Sequence, residues 1–397
     1  MTKNNRCTYG LIIGIDASNL REGGGLTHLS EMLHDSKLEE LSIHRVIVWG
    51  GKKTLEMLED RAWMSKFFSP EIDHGWFSRI YWQKYKLPKL VSAAECNILF
   101  VPGGSHSGFF QPVVTLSQNL LPFEWREMFR YGCSWMTLRL VLLRWVQSRS
   151  FRSSDGVIFL THYAKQRVLQ SLGKIEAKTI IIPHGLNSRF QMKPKVQKPI
   201  CEYSEARPFK LLYVSPIDQY KHQWHVVEAV FRLRQEGLPL VLDLVGPAYP
   251  PAFSRLKESM AKLTSVDDWI FCLGEIPYED LHHLYAQADL GIFASSCENL
   301  PNILIEKMAM GLPIACSNRG PMPEILGEAG EYFDPEQPID ISRALRVLIN
   351  SAKLRKEKAI ASHHLAKGYS WESCANDTFA FLSEIAKRYK HGGCDRF

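Results

Sequence analysis

Short apolar runs recur along this chain, each separated from the next by a longer stretch of helical periodicity. Leu11–Ile15, Val46–Trp49, Ile98–Val101, Val113–Leu116, Val157–Leu160 and Ile180–Ile182 form one series. Leu211–Val214, Val241–Val245, Ile270–Leu273, Leu290–Phe293, Ile314–Cys316 and Tyr332–Phe333 form a second. A run that is apolar at nearly every position has no polar face to turn to water, so it is buried on both sides. Strands of that kind alternating with helices specify parallel α/β sheets. Between the series lies a polar connector, Lys193–Arg207, punctuated by Pro194 and Pro199. The expected organisation is therefore two doubly wound domains, 1–195 and 205–370. A chain of 397 residues is too long for one ordinary core. A last helix is expected over 371–390, with Ser370 as its N-cap.

Composition narrows the classes. Apolar residues make up 45% and charged ones 23%, which is a folding composition rather than a disordered one. The nine cysteines show no C-x-x-C pair and no zinc spacing, so reduced thiols and a cytoplasmic location are expected. No stretch approaches the roughly 18 apolar residues of a membrane span. The net charge of +6 is concentrated: residues 126–189 hold eleven Lys/Arg against three acids. Upstream, Trp76–Lys86 interleaves aromatic and basic side chains. Such a surface suits an anionic membrane face. No nucleic-acid motif accompanies it, so nucleic acid is not expected as a partner.

The chemistry-bearing segment is Cys297-Glu298-Asn299-Leu300-Pro301-Asn302-Ile303-Leu304-Ile305-Glu306. Glu298 closes a strand, Asn299 to Asn302 open a helix, and Glu306 follows two turns on. Backbone N–H groups at a helix start favour an anion, and the carboxylates favour hydroxyls. A sugar nucleotide presents both. Lys221 stands in a loop after Tyr213-Val214, where a point charge suits a diphosphate. Gly23-Gly24-Gly25 follows the first strand and allows close backbone approach. Gly246 and Gly274-Glu275-Ile276-Pro277 end two further strands. Gln118 and Asn119 follow Val113–Leu116; both hydrogen-bond hydroxyls, and neither is a base at neutral pH. His106, His162 and His184 also fall in loops after strands. No Asp-x-Asp occurs, so no metal is expected to hold the diphosphate, and no other cofactor is indicated.

From Leu290 through Met308-Ala309-Met310-Gly311 to Pro321-Met322-Pro323-Glu324-Ile325, the run resembles the nucleotide-sugar-binding signature of retaining glycosyltransferase family 4 (group 1 glycosyltransferases). The resemblance implies a GT-B fold: two Rossmann-like domains facing across a cleft, with the last helix returning to the first domain. It implies that Glu306 grips the ribose diol and that Glu298 binds sugar hydroxyls and supports charge at the anomeric carbon. Asn299, Leu300, Pro301, Asn302 and Lys221 would hold the departing diphosphate, with Arg319 assisting. Gly246 and Ile276 would border the base; Gly24 and Gly25 would face the donor phosphate; Asn119 would lie near sugar and acceptor. The chain departs from the family at Ser215-Pro216, where Gly-Arg is usual, and at His222, where Gly is usual. It departs also at Gln118-Asn119 and at His184. The implied activity is transfer of a hexosyl group from a UDP- or GDP-sugar to a glycan or lipid-linked acceptor in cell-surface polysaccharide synthesis, at the inner face of the membrane. Two alternatives stay open: a non-catalytic sugar-nucleotide-binding subunit and a GT-B UDP-sugar epimerase.

Overall fold

The computed structural model describes residues 10–392 apart from 22, 37–41 and 264–267. Its strands form two all-parallel sheets. The first contains β1 (Leu11–Asp16), β2 (Ile43–Gly50), β3 (Met64–Phe68), β4 (Ile98–Val101), β5 (Val113–Leu116), β6 (Gly156–Phe159) and β7 (Lys178–Ile181), in the order β3-β2-β1-β4-β5-β6-β7. The second contains β8 (Phe209–Val214), β9 (Leu240–Val245), β10 (Ile270–Gly274), β11 (Leu290–Phe293), β12 (Ile314–Ser317) and β13 (Gly330–Phe333), in the order β10-β9-β8-β11-β12-β13. In each sheet the winding reverses once, between β1 and β4 and between β8 and β11. Ligands of doubly wound sheets bind outside the carboxyl ends of strands at such a reversal.

The central strands are apolar because both faces are covered. Every residue of β4, β5, β6, β11 and β12 is buried. Leu211, Leu242, Leu290, Ile292 and Ile314 are fully enclosed. Each such side chain contributes about 1.5–3 kcal/mol relative to an exposed one. The strand absent from the sequence reading is β3, whose Phe67 and Phe68 are exposed at the sheet edge. No helix among the described residues is long and apolar enough to cross a membrane.

The chain divides into two compact units, and the division is not a single cut. Residues through Phe123, Arg139–Gly185 and those from Ser370 onward make the first. Glu124–Leu138 and Leu186–Tyr369 make the second. The return at 186 comes earlier than the connector at 193–207, and residues 124–138, expected in the first domain, group with the second. The helix Trp371–Gly392 lies in the first unit, and Ser370 Oγ accepts from the Ser373 N–H at 3.3 Å.

A histidine pair helps join this helix to its unit. His28, on the helix Gly24–His34, and His184, after β7, meet Nδ1 to Nδ1 at 2.7 Å, so one Nδ1 is protonated and the other accepts. Trp371 packs on both rings at 5.6 and 5.8 Å. Burial pushes the His28 pKa down to about 4, and burial with His28 beside it lowers that of His184. The unfolded chain therefore binds more protons than the native one from about pH 6.5 down to about pH 4. Native stability is complete above that window and falls as pH falls through it. By pH 5 His28 alone should remove about 2 kcal/mol. Urea midpoints should be clearly lower at pH 5 than at pH 7.5, and His28→Gln should shrink the difference, leaving the share of His184, whose pKa burial alone also lowers. Equal midpoints would refute the assignment.

Candidate functional site

Within the second unit, the loops leaving β8, β9, β10 and β11 meet at the carboxyl edge of the sheet. Backbone bonds stitch them together. Gly246 N–H donates to Gly274 O at 2.8 Å, Ile217 N–H to Pro247 O at 2.8 Å, and Ser296 N–H to Tyr220 O at 2.8 Å. Gly246 has φ +139°, and a Cβ there would lie 2.4 Å from the Ser215 carbonyl oxygen. Both the conformation and the close approach require glycine. Ile276 is half-buried in the turn after β10.

The reversal between β8 and β11 brings Lys221 and Glu298 together as an ion pair, with side chains 5% and 14% exposed. The Lys221 ammonium also lies 4.9 Å from the Tyr220 ring and 5.5 Å from the Phe293 ring. Tyr213 donates its hydroxyl to Lys221 O at 2.6 Å, fixing the loop from below. A carboxylate and an ammonium held in so apolar a setting interact strongly, because little water screens them. Lys221 is thus committed to Glu298 rather than standing alone for a diphosphate.

Asn299 and Leu300 are buried, Pro301 precedes the helix Asn302–Ala309, and the Oδ1 of Asn302 is buried without a hydrogen-bond partner among the described residues. Glu306 is enclosed. Only 2% of its surface is exposed, Tyr285 donates to Oε2 at 3.0 Å, and Tyr278 also hydrogen-bonds it. Burial raises its pKa. The carboxylate expected to grip a ribose diol is therefore held by two tyrosines.

Sequence reasoning missed Lys307. Its side chain is fully buried, with Nζ 3.4 Å from Val214 O and 5.2 Å from the Phe293 ring. A Cβ on Gly291 would lie 3.0 Å from its Cδ, so glycine in β11 makes room for the stem. Burial pushes its pKa down to about 7, with Glu306 opposing. Phe293 thus stands between two ammonium groups, one facing Glu298 and one beside Glu306. The readable signal was the Glu-Lys pair inside Ile303-Leu304-Ile305-Glu306-Lys307-Met308-Ala309, an otherwise apolar run.

Also missed were Glu127, Tyr131 and Ser296. Tyr131 donates to Asp218 Oδ1 at 2.7 Å, and the Ser296 hydroxyl donates to Glu127. That hydroxyl must then accept from His222 Nε2, at 2.9 Å, which makes His222 a neutral Nε2–H tautomer. Burial and the nearby Arg130 push the His222 pKa down to about 2. His222 has φ +54°, in the left-handed region that favours glycine, and its ring is steadied by Ser296. Arg319 pairs with Asp334 at 2.7 Å.

The first-unit candidates form their own group at the ends of β1 and β5. Gly23 has φ +74°, and a Cβ on Gly25 would lie 2.4 Å from Gln118 Oε1, while Gly24 has open space. Asn119 is exposed, and its Oδ1 accepts from Leu121 N–H at 3.1 Å. His106 is buried in the loop after β4, and His162 opens the helix following β6. Among the described residues no three His, Cys, Asp or Glu side chains cluster as metal ligands.

Residues 202–362 match the family model described as glycosyl transferases group 1. Over 229 residues the chain is 27% identical to O-antigen chain mannosyltransferase B of Escherichia coli, covering 57% of each chain. Over 168 residues it is 27% identical to an MMP alpha-(1->4)-mannosyltransferase of Mycolicibacterium hassiacum, covering 41% of this chain and 40% of that one. The chain thus spans about half the length of the curated relatives it matches. Among solved structures, sucrose-phosphate synthase of Thermosynechococcus elongatus is similar with a TM-score of 0.71 at 15% identity, covering 94% of this chain and 99% of that one. Anabaena HepE in complex with UDP gives 0.66 at 17% identity, covering 94% and 100%. The fold is GT-B, and the matched segment supports the group 1 glycosyltransferase superfamily.

Proposed function

We propose that this chain is a retaining, metal-independent glycosyltransferase that moves a hexosyl group from a nucleotide diphosphate sugar to a glycan or lipid-linked glycan. The observation carrying this reading is the buried Lys221–Glu298 pair at the winding reversal of the second sheet. Glu298 accepts hydrogen bonds from sugar hydroxyls and stabilises positive charge as the bond at the anomeric carbon lengthens. Its ammonium partner then faces the departing diphosphate, joined by the backbone N–H groups at the start of the helix Asn302–Ala309. Glu306, oriented by Tyr285, takes the ribose hydroxyls once the tyrosine contacts yield. Gly246 and Ile276 border the base. Gly24, Gly25 and Asn119 are the first unit's own candidates for sugar and acceptor. No protein base is assigned, so the leaving phosphate takes the acceptor proton. The names of the two curated relatives put mannosyl donors first among candidates, and the UDP complex of a fold neighbour adds UDP-sugars.

The test is a melting-temperature panel of UDP-, GDP- and ADP-sugars, with and without magnesium, on the wild type and Glu306→Gln. A ligand present at a hundred times its Kd adds about 2.7 kcal/mol to native stability. One nucleotide class should raise the melting temperature without magnesium, and Glu306→Gln should lose that shift while melting close to the unliganded wild type. No shift with any nucleotide sugar would overturn the donor site. Donor isomerised or hydrolysed at the same rate with and without acceptor would favour the epimerase instead.

A further inference from the structure

The first unit holds a cavity of about 750 Å³ between the loop 106–113 and the C-terminal half of the helix Trp135–Ser153. Phe109 and Gln111 line it from the loop, and Trp145, Ser148, Arg149 and Arg152 from the helix. Val113, the first residue of β5, is also part of its wall. The cavity therefore reaches the amino end of that strand, whereas Gln118 and Asn119 follow its carboxyl end. His106, from the loop after β4, also lines the cavity, whereas Gly24, Gly25, Asn119 and the second-unit groups assigned to transfer do not.

Its rim is aromatic and cationic. Phe109 is 70% exposed and Trp145 65%. The helix Trp135–Ser153 carries four arginines and no acid, and residues 76–91 carry four Lys/Arg and no acid. The two segments reach the same rim, since Lys84 Nζ lies 5.9 Å from the Phe109 ring and 5.3 Å from that of Tyr85. Tyr389 reaches Gln111 Oε1 at 3.5 Å, and the neighbouring Lys387, Arg388 and Lys390 are exposed. Lys86 pairs with Glu71, which offsets its charge, whereas Arg152 donates one N–H to the neutral Leu172 O at 3.0 Å and keeps its charge. The nearby Asp155 carboxylate accepts from Val113 N–H at 2.8 Å. Arg149 makes no ion pair or hydrogen bond among the described residues.

Aromatic rings beside uncompensated guanidinium groups suit two polyanionic partners: a phospholipid surface and a single-stranded nucleic acid. The aliphatic side chains decide between them. Val141 and Leu142 are exposed on the same helix as Trp145, and Leu90 is exposed near Tyr85 in sequence. Aliphatic groups offer bases nothing to stack on, but they enter the acyl boundary of a bilayer. Arginine forks match phosphate oxygens, and Trp and other aromatic rings settle at headgroup depth.

We propose that this cavity receives the phosphate headgroup of an anionic phospholipid, with Arg149 and Arg152 on the phosphate and Phe109 and Trp145 anchored at headgroup level. The binding needs neither donor nor transfer, so its failure and that of the donor site are separable. The experiment is co-sedimentation of the full chain with vesicles of phosphatidylcholine, alone or with about one-third phosphatidylglycerol. Each basic side chain near an anionic surface is worth about a fivefold change in partition, so Arg149→Gln/Arg152→Gln should weaken binding about thirtyfold. Trp145→Ser should weaken it too, with the melting temperature reporting that each variant folds. Phe109→Ser provides an independent loop variant if a helix variant misfolds. Equal partition into both vesicles, or an unchanged double variant, would overturn the proposal. So would arginine-dependent binding of an RNA oligonucleotide tighter than that of anionic vesicles. Saturable binding of soluble glycerol phosphate without vesicle binding would assign the cavity to a free phosphate instead.

Discussion

Lys221→Met should cost the protein about 3–5 kcal/mol, and adding Glu298→Gln should return most of that loss. The pair is nearly excluded from water, and Tyr213, Tyr220 and Phe293 surround it. Removing the ammonium leaves a carboxylate in a medium that cannot hydrate it. Removing both charges leaves two neutral groups of similar volume, and the desolvation cost disappears with them. A double-mutant cycle from urea unfolding should therefore give a large coupling energy, whereas independent sites add to within about 0.5 kcal/mol. The same variants separate stability from chemistry. Glu298→Gln keeps shape and hydrogen bonding to hydroxyls but no negative charge. Glycosyl transfer by that variant should fall at least about a hundredfold, while donor still raises the melting temperature. Additive stabilities would mean that the pair is solvated, and undiminished transfer would remove Glu298 from the reaction.

The second large effect is expected at Gly185. A Cβ there would lie 2.2 Å from Trp371 N and 2.4 Å from Trp371 Cα, and neither backbone atom can move without the helix Trp371–Gly392. The same displacement would open the His28–His184–Trp371 cluster. Gly185→Ala should cost more than about 4 kcal/mol, within the range reserved for overpacking against a rigid neighbour. It should also expose the last helix to limited proteolysis before the rest of the chain unfolds. Gly173→Ala is the control. Gly173 has φ +74° and open space around it, so it bears conformational strain without a clash. With ψ −159° it lies outside the left-handed helical region, and its cost should stay at about 1–3 kcal/mol. If the two variants are equally mild, the turn after β7 is not the anchor of the helix.

The fold was readable because buried parallel strands leave no choice of residue type. Ile98-Leu99-Phe100-Val101 and Leu290-Gly291-Ile292-Phe293 are enclosed from both sides, and their sequences say so. β3 escaped because an edge strand need satisfy only one neighbour, and Met64-Ser65-Lys66-Phe67-Phe68 mixes polar and exposed apolar residues accordingly. Glu298 and Lys221 were readable as residues at strand ends, whereas their pairing spans 77 positions and depends on which strands are neighbours. The tyrosines on Glu306 and the link from Glu127 through Ser296 to His222 have the same origin. These are ordinary polar residues made specific by three-dimensional proximity. The grouping of residues 124–138 with the second unit carries no compositional mark at all.

Because the residues from Ser370 onward belong to the first unit, the unit begun first in synthesis is the one completed last. At about 5–20 residues per second, the ribosome takes on the order of ten seconds or more to traverse 186–369. Throughout that interval the nascent first unit lacks Phe381, whose ring lies 2.9 Å from where a Cβ on Gly156 would sit, and Trp371, which covers the histidine pair. The unit translated second has its own strands complete and can close first. The unit translated first waits with an apolar face of β6 uncovered, in the period when a chaperone that binds exposed nonpolar surface has its best opportunity.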